Sequence, residues 1–307
     1  MTAKVIVKPI LESTPIPKQP YKQLFLRSLP QPLSHCLQTS PLLQCFRQLI
    51  CGVFSLKSRK IGIIVAMQEE IRPLLKVVGS FLEKRLSRFT TYSFAVAGHE
   101  IIAVVSGMGP VNGTAATRLL VEHHHPELLI HAGFAGGITT GVEVGDIVLA
   151  HRVFTYENSE FQEQQGINVG LAVHAAELLE PDIKIRLLAA TFVSAAGITS
   201  KAHLAIALPP FSPVAVVEME TAAVIRVATE ADTPLIAMRA ISDGADEELG
   251  FTIEEITDSA LQVRLGKVLI TMARKPWIIP QLMRLAQNSR LAGVNLAAAL
   301  EGLLEKL

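Results

Sequence analysis

Apolar residues fall along this chain in two rhythms. Short runs that are apolar at nearly every position, with Ile61-Gly62-Ile63-Ile64-Val65-Ala66 the first clear case, suit strands covered on both faces of a central sheet. Between them lie stretches with helical spacing. Met67-Gln68-Glu69-Glu70 follows the first run and opens a helix, with acids in the turn where the backbone dipole favours them. The same reading predicts strands at 88–96, 100–106, 128–132, 146–153, 185–194, 214–218 and 234–241. Helices are expected at 111–124, 170–180, 219–231, 253–273 and 279–305. Strands and helices interleave, which defines an α/β layered domain over residues 60–270. The end of the chain differs. From Lys275-Pro276-Trp277 onward, Leu282, Leu285, Ala286, Leu291, Val294, Leu296, Leu300, Leu303 and Leu304 recur at helical spacing. Residues 271–307 therefore read as an amphipathic helical extension that packs on the main domain or on a partner subunit.

Composition narrows the function classes. A chain of 307 residues, half of them apolar and 18% charged, suits one globular domain with appendages. Arg47, His131, Glu143 and Arg274 interrupt the most apolar stretches, so no run reaches the roughly 18 apolar residues of a membrane span. A formal net charge of zero argues against a general nucleic-acid binder. The charge is unevenly spread. Residues 1–60 carry nine basic side chains and one acid, Glu12, together with seven of the 17 prolines and all three cysteines. Residues 1–59 are expected to form a basic, proline-rich and poorly ordered extension. Because residues 61–307 contain no thiol, metal and cysteine chemistry lose their best ligands there, and no metal or other cofactor is expected. A segment resembling a secretory signal is missing, so the cytoplasm is the expected compartment. His123-His124-His125 resembles a metal cluster, but consecutive helical residues point in different directions, and a helix C-terminus explains three cationic side chains better.

Chemistry is expected at the strand ends, because α/β sheets bind ligands in the crevice beyond their carboxyl edges. Four ends carry unusual residues. Ala66-Met67-Gln68-Glu69-Glu70 brings a carboxylate within one turn of a strand. Ser106-Gly107-Met108-Gly109-Pro110 lets backbone N–H groups approach a ligand oxygen at a helix start, although it matches neither a phosphate loop nor a dinucleotide fingerprint. Gly133-Phe134-Ala135-Gly136-Gly137 is a second glycine-rich exit. The fourth region pairs Val217-Glu218-Met219-Glu220-Thr221-Ala222-Ala223 with Arg239-Ala240-Ile241-Ser242-Asp243-Gly244-Ala245-Asp246. Acids at two neighbouring strand ends can converge on one ligand: a carboxylate accepts two sugar hydroxyls, and a protonated carboxyl donates to a leaving base.

Taken in order, these stretches resemble the 5′-methylthioadenosine/S-adenosylhomocysteine nucleosidases of the nucleoside phosphorylase superfamily, over about residues 60–270. The resemblance implies a three-layer αβα sandwich around a central mixed β-sheet, usually dimeric. The implied reaction cleaves the N-glycosidic bond of an adenine thionucleoside and releases adenine, with no cofactor. Asp243 resembles the acid that protonates adenine N7, and Glu70 the residue that deprotonates the attacking water, with Arg239 beside it. Glu220 resembles the carboxylate that binds the ribose hydroxyls, and Met219 the apolar floor under the sugar. Met67, Gly107, Phe134, Ile198 and Ser242 complete the implied binding set, with the Ile198 backbone reading the adenine edge.

Two residues depart from the pattern. The nucleosidases place Ser where this chain has Phe134, which removes a hydroxyl that helps hold the water. They commonly place Phe before Ile198, where this chain has Gly197, which implies a base pocket that is either wider or filled by another side chain. Other readings of the same motifs remain. A phosphorylase needs cations around phosphate; this chain offers Ile130-His131-Ala132 on the strand where relatives supply an arginine, and Arg72 and Arg118 are the nearest substitutes. The helical tail also resembles hopanoid-associated members that strip adenine from an adenosyl lipid. A non-catalytic binder is disfavoured because Glu70, Glu220 and Asp243 are all present. Tyr156 and Glu157 are expected on a loop near a neighbouring subunit, and His203 near the 5′ side of the ligand.

Overall fold

The computed structural model describes residues 58–197, 199–247, 255 and 265–307. Nearly all of the expected N-terminal extension lies outside these residues, as do Ile198 and most of the first half of the helix expected at 253–273.

One ten-stranded mixed sheet organises the domain. The apolar run at 61–66 forms β1 (Lys60–Val65), which pairs in parallel with β4 (His99–Val105) on one side and β5 (Leu128–Gly137) on the other. Outward from β4 lie β3 (Phe89–Val96) and β2 (Leu82–Leu86), both antiparallel. Beyond β5 come β6 (Ile147–Glu157), β8 (Leu187–Ala195), β9 (Ala215–Glu218) and β10 (Leu235–Asp243), with β7 (Glu160–Gln164) paired to β6. In this half the sheet closes on itself. β5 pairs with β10, β10 with β6, β6 with β8, β8 with β9, and β9 returns to β5. Closure draws the ends of β5, β9 and β10 around a common rim.

Both faces of the sheet are covered. On one side α1 (Gln68–Val78), α3 (Val169–Leu179) and α7 (Ile279–Leu304) bury Ile71, Leu74, Leu171, Leu296, Leu300 and Leu303 against Ile61, Ile63 and Val65 of β1. On the other, α2 (Pro110–His124) and α5 (Thr221–Glu230) pack against Ile64, Leu129 and Val148. The alternation of β1 explains Gly62, on the same face as Ile64: a β-carbon there would lie 2.8 Å from Leu129 Cδ2. Helices α4 (Lys201–Ala207) and α6 (Leu265–Arg274), with a 3₁₀ turn at Pro276–Ile278, complete the described elements. No helix among the described residues is long and apolar enough to cross a membrane.

The structure extends the sequence reading in three places. The glycine-rich exit at 133–137 belongs to β5, and Tyr156 and Glu157 belong to β6, whose length is supported by pairing with both β7 and β8. Strands β2 and β7 escape hydrophobic patterning because they are largely exposed, with sequences LEKRL and EFQEQ, and tertiary pairing alone makes them strands. The C-terminal extension packs on the main domain itself: along α7, Ala292, Gly293, Leu296, Ala297, Ala299 and Leu300 are buried, and α6 runs across residue 270. If α7 is part of the core, Leu300→Ala should lower unfolding free energy by about 2–5 kcal/mol in a denaturant titration. A loss below about 1 kcal/mol would mean that α7 contributes little to the core.

Candidate active site

The ends of β1, β5, β9 and β10 open into a cavity of about 1020 Å³, walled on its far side by α1 and α7. Met67, Glu70, Phe134, Met219, Glu220, Ser242 and Asp243 line it together, although they come from four separate stretches of the chain. Gly197 lines it too, with open space where a side chain would stand. Ile198 lies outside the described residues.

Glu70 is buried at the start of α1, and backbone hydrogen bonds determine its orientation. Its Oε2 accepts from the N–H groups of Ala66 and Met67 at 2.7 and 2.8 Å, and its Oε1 from that of Phe134 at 2.9 Å. A carboxylate has about four lone-pair sites, so one remains open on Oε1 for a further donor such as water. Burial raises the proton affinity of this carboxyl above the ordinary range, against those three N–H groups and the nearby Arg239 charge. A raised value suits a base operating near neutral pH. Gly133 leaves Oε1 accessible, since a β-carbon there would lie 2.8 Å from that oxygen.

Glu220 occupies the N-cap of α5, where its Oε1 accepts from Gly109 N–H at 2.6 Å. Its pKa is pushed up to about 8, first by burial and then by repulsion from Glu218, with Arg239 and the Gly109 N–H opposing. Ligand hydroxyls donating to it would favour its charged form. Gly107, at the turn between β4 and α2, bonds to Ala66 O and adopts a positive φ of 85°. Within this glycine loop the Gly109 N–H reaches a site carboxyl.

Asp243 ends β10 directly after a β-bulge: Ile241 pairs with Ala135 and Asp243 with Gly136, leaving Ser242 as the extra residue. A bulge re-aims side chains that strict alternation would direct elsewhere, and here Ser242 and Asp243 both line the cavity. Ser242 Oγ donates to Asp243 Oδ1 at 2.6 Å, while Lys201 Nζ donates to Oδ2.

Arg239 requires a correction. Expected beside Glu70, its guanidinium instead lies beneath the β9–α5 junction and does not line the cavity. Its Nη2 meets Glu218 Oε2 at 2.8 Å and Thr221 Oγ1 at 2.9 Å, and Nη1 donates to His131 O at 3.1 Å. Burial acts to raise the Glu218 carboxyl, but the Arg239 charge and bonds from Ser194, Thr221 and Glu220 prevail and hold it below the ordinary range. His131, fully buried, is driven well below its usual value by desolvation and then by Arg239, which keeps its ring neutral. Arg239 thus supports the site through Glu218 and acts on Glu70 only through its field.

The sequence reading missed Lys201, which looks like an ordinary lysine in the first turn of a short helix, and the α7 side chains that reach the site. Leu282, Leu285 and Val294 of α7 join Pro73 and Val77 of α1 in an apolar part of the cavity, where Arg72, Lys76 and Arg290 add cations. Arg118 pairs with Glu230 at the surface. His203 meets the Tyr156 hydroxyl at 3.1 Å. Among the described residues, no group of three or more His, Cys, Asp or Glu side chains is arranged to hold a metal ion.

A closed mixed sheet whose strand ends gather the buried carboxyl groups of Glu70, Glu218, Glu220 and Asp243 around an apolar cavity defines an α/β enzyme with acid–base machinery. Residues 60–274 match the sequence profile of the Phosphorylase superfamily, and the chain belongs to that family. A 5′-methylthioadenosine/S-adenosylhomocysteine nucleosidase of Exiguobacterium sp. strain AT1b is 27% identical over 231 residues, covering 70% of this chain and 98% of the relative. Futalosine hydrolase of Helicobacter pylori superposes with a TM-score of 0.62 at 21% identity, over 81% of this chain and all of that one. The 5′-methylthioadenosine/S-adenosylhomocysteine nucleosidase of Neisseria meningitidis, solved with methylthio-immucillin-A, gives 0.61 at 20% identity, over 81% and 100% of the two chains. At these identities the structures share the fold with this chain.

Two outcomes follow from the carboxyl environments. Glu220 has a folded value near 8 against an ordinary value of 4.5, so the folded state retains a proton that the unfolded chain has lost, and stability falls as pH rises through that window. Denaturant titrations of ligand-free protein from pH 5 to 8 should show this fall, and Glu220→Gln should flatten it; an unchanged slope would contradict the assignment. Gly133→Ala should keep the fold yet lower turnover by about a hundredfold, because the methyl group crowds Glu70 Oε1. Steady-state kinetics and circular dichroism check this pair of expectations.

Proposed function

We propose that the protein hydrolyses the N-glycosidic bond of adenine nucleosides of the 5′-methylthioadenosine and S-adenosylhomocysteine type, releasing adenine. The observation that carries this reading is the convergence of Glu70, Glu220 and Asp243 on one cavity, each in a different environment. The nucleosidase identity of the curated relatives supports it, and it is favoured over the adenosyl-lipid and phosphorylase alternatives.

In this mechanism Glu220 accepts the ribose hydroxyls, and Met219 packs under the sugar. As the C1′–N9 bond breaks, its electron pair passes to adenine and the Asp243 proton moves to N7, so that the base leaves neutral. Positive charge develops on the ribose near the buried carboxylates, which stabilise it. Water held at the open lone pair of Glu70 Oε1 bonds to C1′ and gives its proton to Glu70. Phe134 contributes its backbone N–H to Glu70, while its ring packs near Gly293 of α7. Here the water depends on Glu70 without the serine hydroxyl of the nucleosidases. Gly197 leaves room beside the base, and the 5′ substituent extends toward α1 and α7.

The enzyme works in this reading as a cytoplasmic homodimer without a cofactor. Exposed Val111, Ile206 and Phe211 supply apolar surface suited to a subunit contact.

The deciding measurement is adenine release from methylthioadenosine with and without phosphate, together with identification of the sugar. Free methylthioribose at a phosphate-independent rate is expected; sugar 1-phosphate formed only with phosphate would make Glu70 the wrong nucleophile-activating group. Asp243→Asn and Glu220→Ala should each lower kcat by about a hundredfold or more, equivalent to about 2–4 kcal/mol of transition-state stabilisation. A near-normal rate in either variant would remove that residue from the mechanism.

A further inference from the structure

We infer that Lys201 is a positioning residue for base departure, stabilising the carboxylate that Asp243 becomes when it gives up its proton. This inference rests on the nucleosidase reading and extends it to a residue on a separate element. Lys201 opens α4 behind the Ser200 N-cap and is buried, with 5% of its surface exposed. Its ammonium contacts Asp243 Oδ2 and donates to Gly244 O at 2.7 Å, bracketing the end of β10 from outside the sheet. The opposite strand is shaped around this pair. A β-carbon at Gly136 would lie 2.7 Å from Asp243 Oδ2, 2.9 Å from Lys201 Cε and 3.1 Å from Lys201 Nζ, so the pair occupies the space a side chain would take.

A lysine ammonium buried against an acid is costly to desolvate unless its charge is used locally. Here that use is at the reacting group. When the C1′–N9 bond breaks and the Asp243 proton moves to the leaving base, the carboxyl acquires a full negative charge in a water-poor site. Lys201 Nζ faces that charge on Oδ2, and the Ser242 hydroxyl faces it on Oδ1. The other charged groups around this cavity raise the cost of the new carboxylate or act elsewhere. Glu218 and Glu220 line it from the β9–α5 junction, Glu69, Glu70, Arg72 and Lys76 from α1, and Arg290 and Glu301 from α7, while Arg239 is engaged by Glu218. Among the described residues, Lys201 is the cation in direct contact with Asp243.

The test is the pH dependence of kcat and kcat/KM for methylthioadenosine in wild type, Lys201→Met, Lys201→Gln and Lys201→Arg. Removing a neighbouring cation disfavours the carboxylate, so both neutral variants should move the alkaline limb of kcat/KM up by about one pH unit or more. Their kcat should fall about tenfold or more, with KM little changed, because the contact matters after the substrate is bound. Lys201→Arg should restore the wild-type limb and much of the rate. Two neutral replacements of different polarity guard against one that folds poorly, and thermal unfolding identifies such a variant. Unshifted limbs, an equal loss in Lys201→Arg, or an effect confined to KM would overturn the inference. If wild type releases no adenine, the nucleosidase reading itself fails; if wild type turns over and the neutral variants match it, only the role of Lys201 fails.

Discussion

The site depends on one buried ion pair. Arg239 and Glu218 are almost wholly removed from water, and each end of the pair carries other tasks. Glu218 receives the N–H groups of Glu220 and Thr221 at 3.0 and 2.8 Å, so it satisfies the first donors of α5 and sets the conformation in which Glu220 caps that helix. Arg239 ties β10 to the His131 carbonyl on β5 and to Thr221. Breaking such a pair leaves an unpaired charge in a dry interior, which costs several kcal/mol. The same charge draws down the proton affinities of Glu70 and Glu220, and without it both carboxyls would bind their protons more tightly. A side chain that does not line the cavity therefore sets the electrostatic level at which the lining groups work.

Sheet closure turns that local arrangement into a site. An open sheet would spread the ends of β5, β9 and β10 along an edge; pairing β10 with both β5 and β6 draws them into a rim. The bulge at Ser242 then aims Asp243 inward, and the glycines at 133 and 136 leave room for Glu70 on one side and the Asp243–Lys201 pair on the other. These devices share one logic: the backbone omits or displaces a side chain where a charged group must enter.

Much of this was legible in the sequence because burial leaves a strong imprint. Short, β-branched apolar runs such as Ile61–Ala66 read as covered strands, and acids directly after buried strands mark the crevice. What stayed hidden depended on partners distant in sequence. LEKRL and EFQEQ carry no apolar signature and become strands through pairing. Lys201 gains its meaning from Asp243, 42 residues away, and the position of Arg239 beside Glu70, implied by the family resemblance, gives way to pairing with Glu218, a residue on another strand. The bulge between Ile241 and Asp243 shifts the alternation of β10, a change that the residue pattern does not announce. The role of α7 was hidden for a related reason: helical spacing reveals an apolar face without revealing what that face covers.

The cavity wall is divided between two kinds of element. Groups assigned to bond cleavage come from strand ends and helix starts locked into the closed sheet, whereas the apolar wall opposite them comes largely from one long helix laid against α1. Substitutions along the cavity-facing stripe of α7, at Leu282, Leu285 or Val294, alter the shape offered to the substrate without touching a catalytic hydrogen bond. Substrate range and reaction chemistry can consequently diverge independently in descendants of this chain, with the last helix serving as an interchangeable mould around a conserved reaction centre.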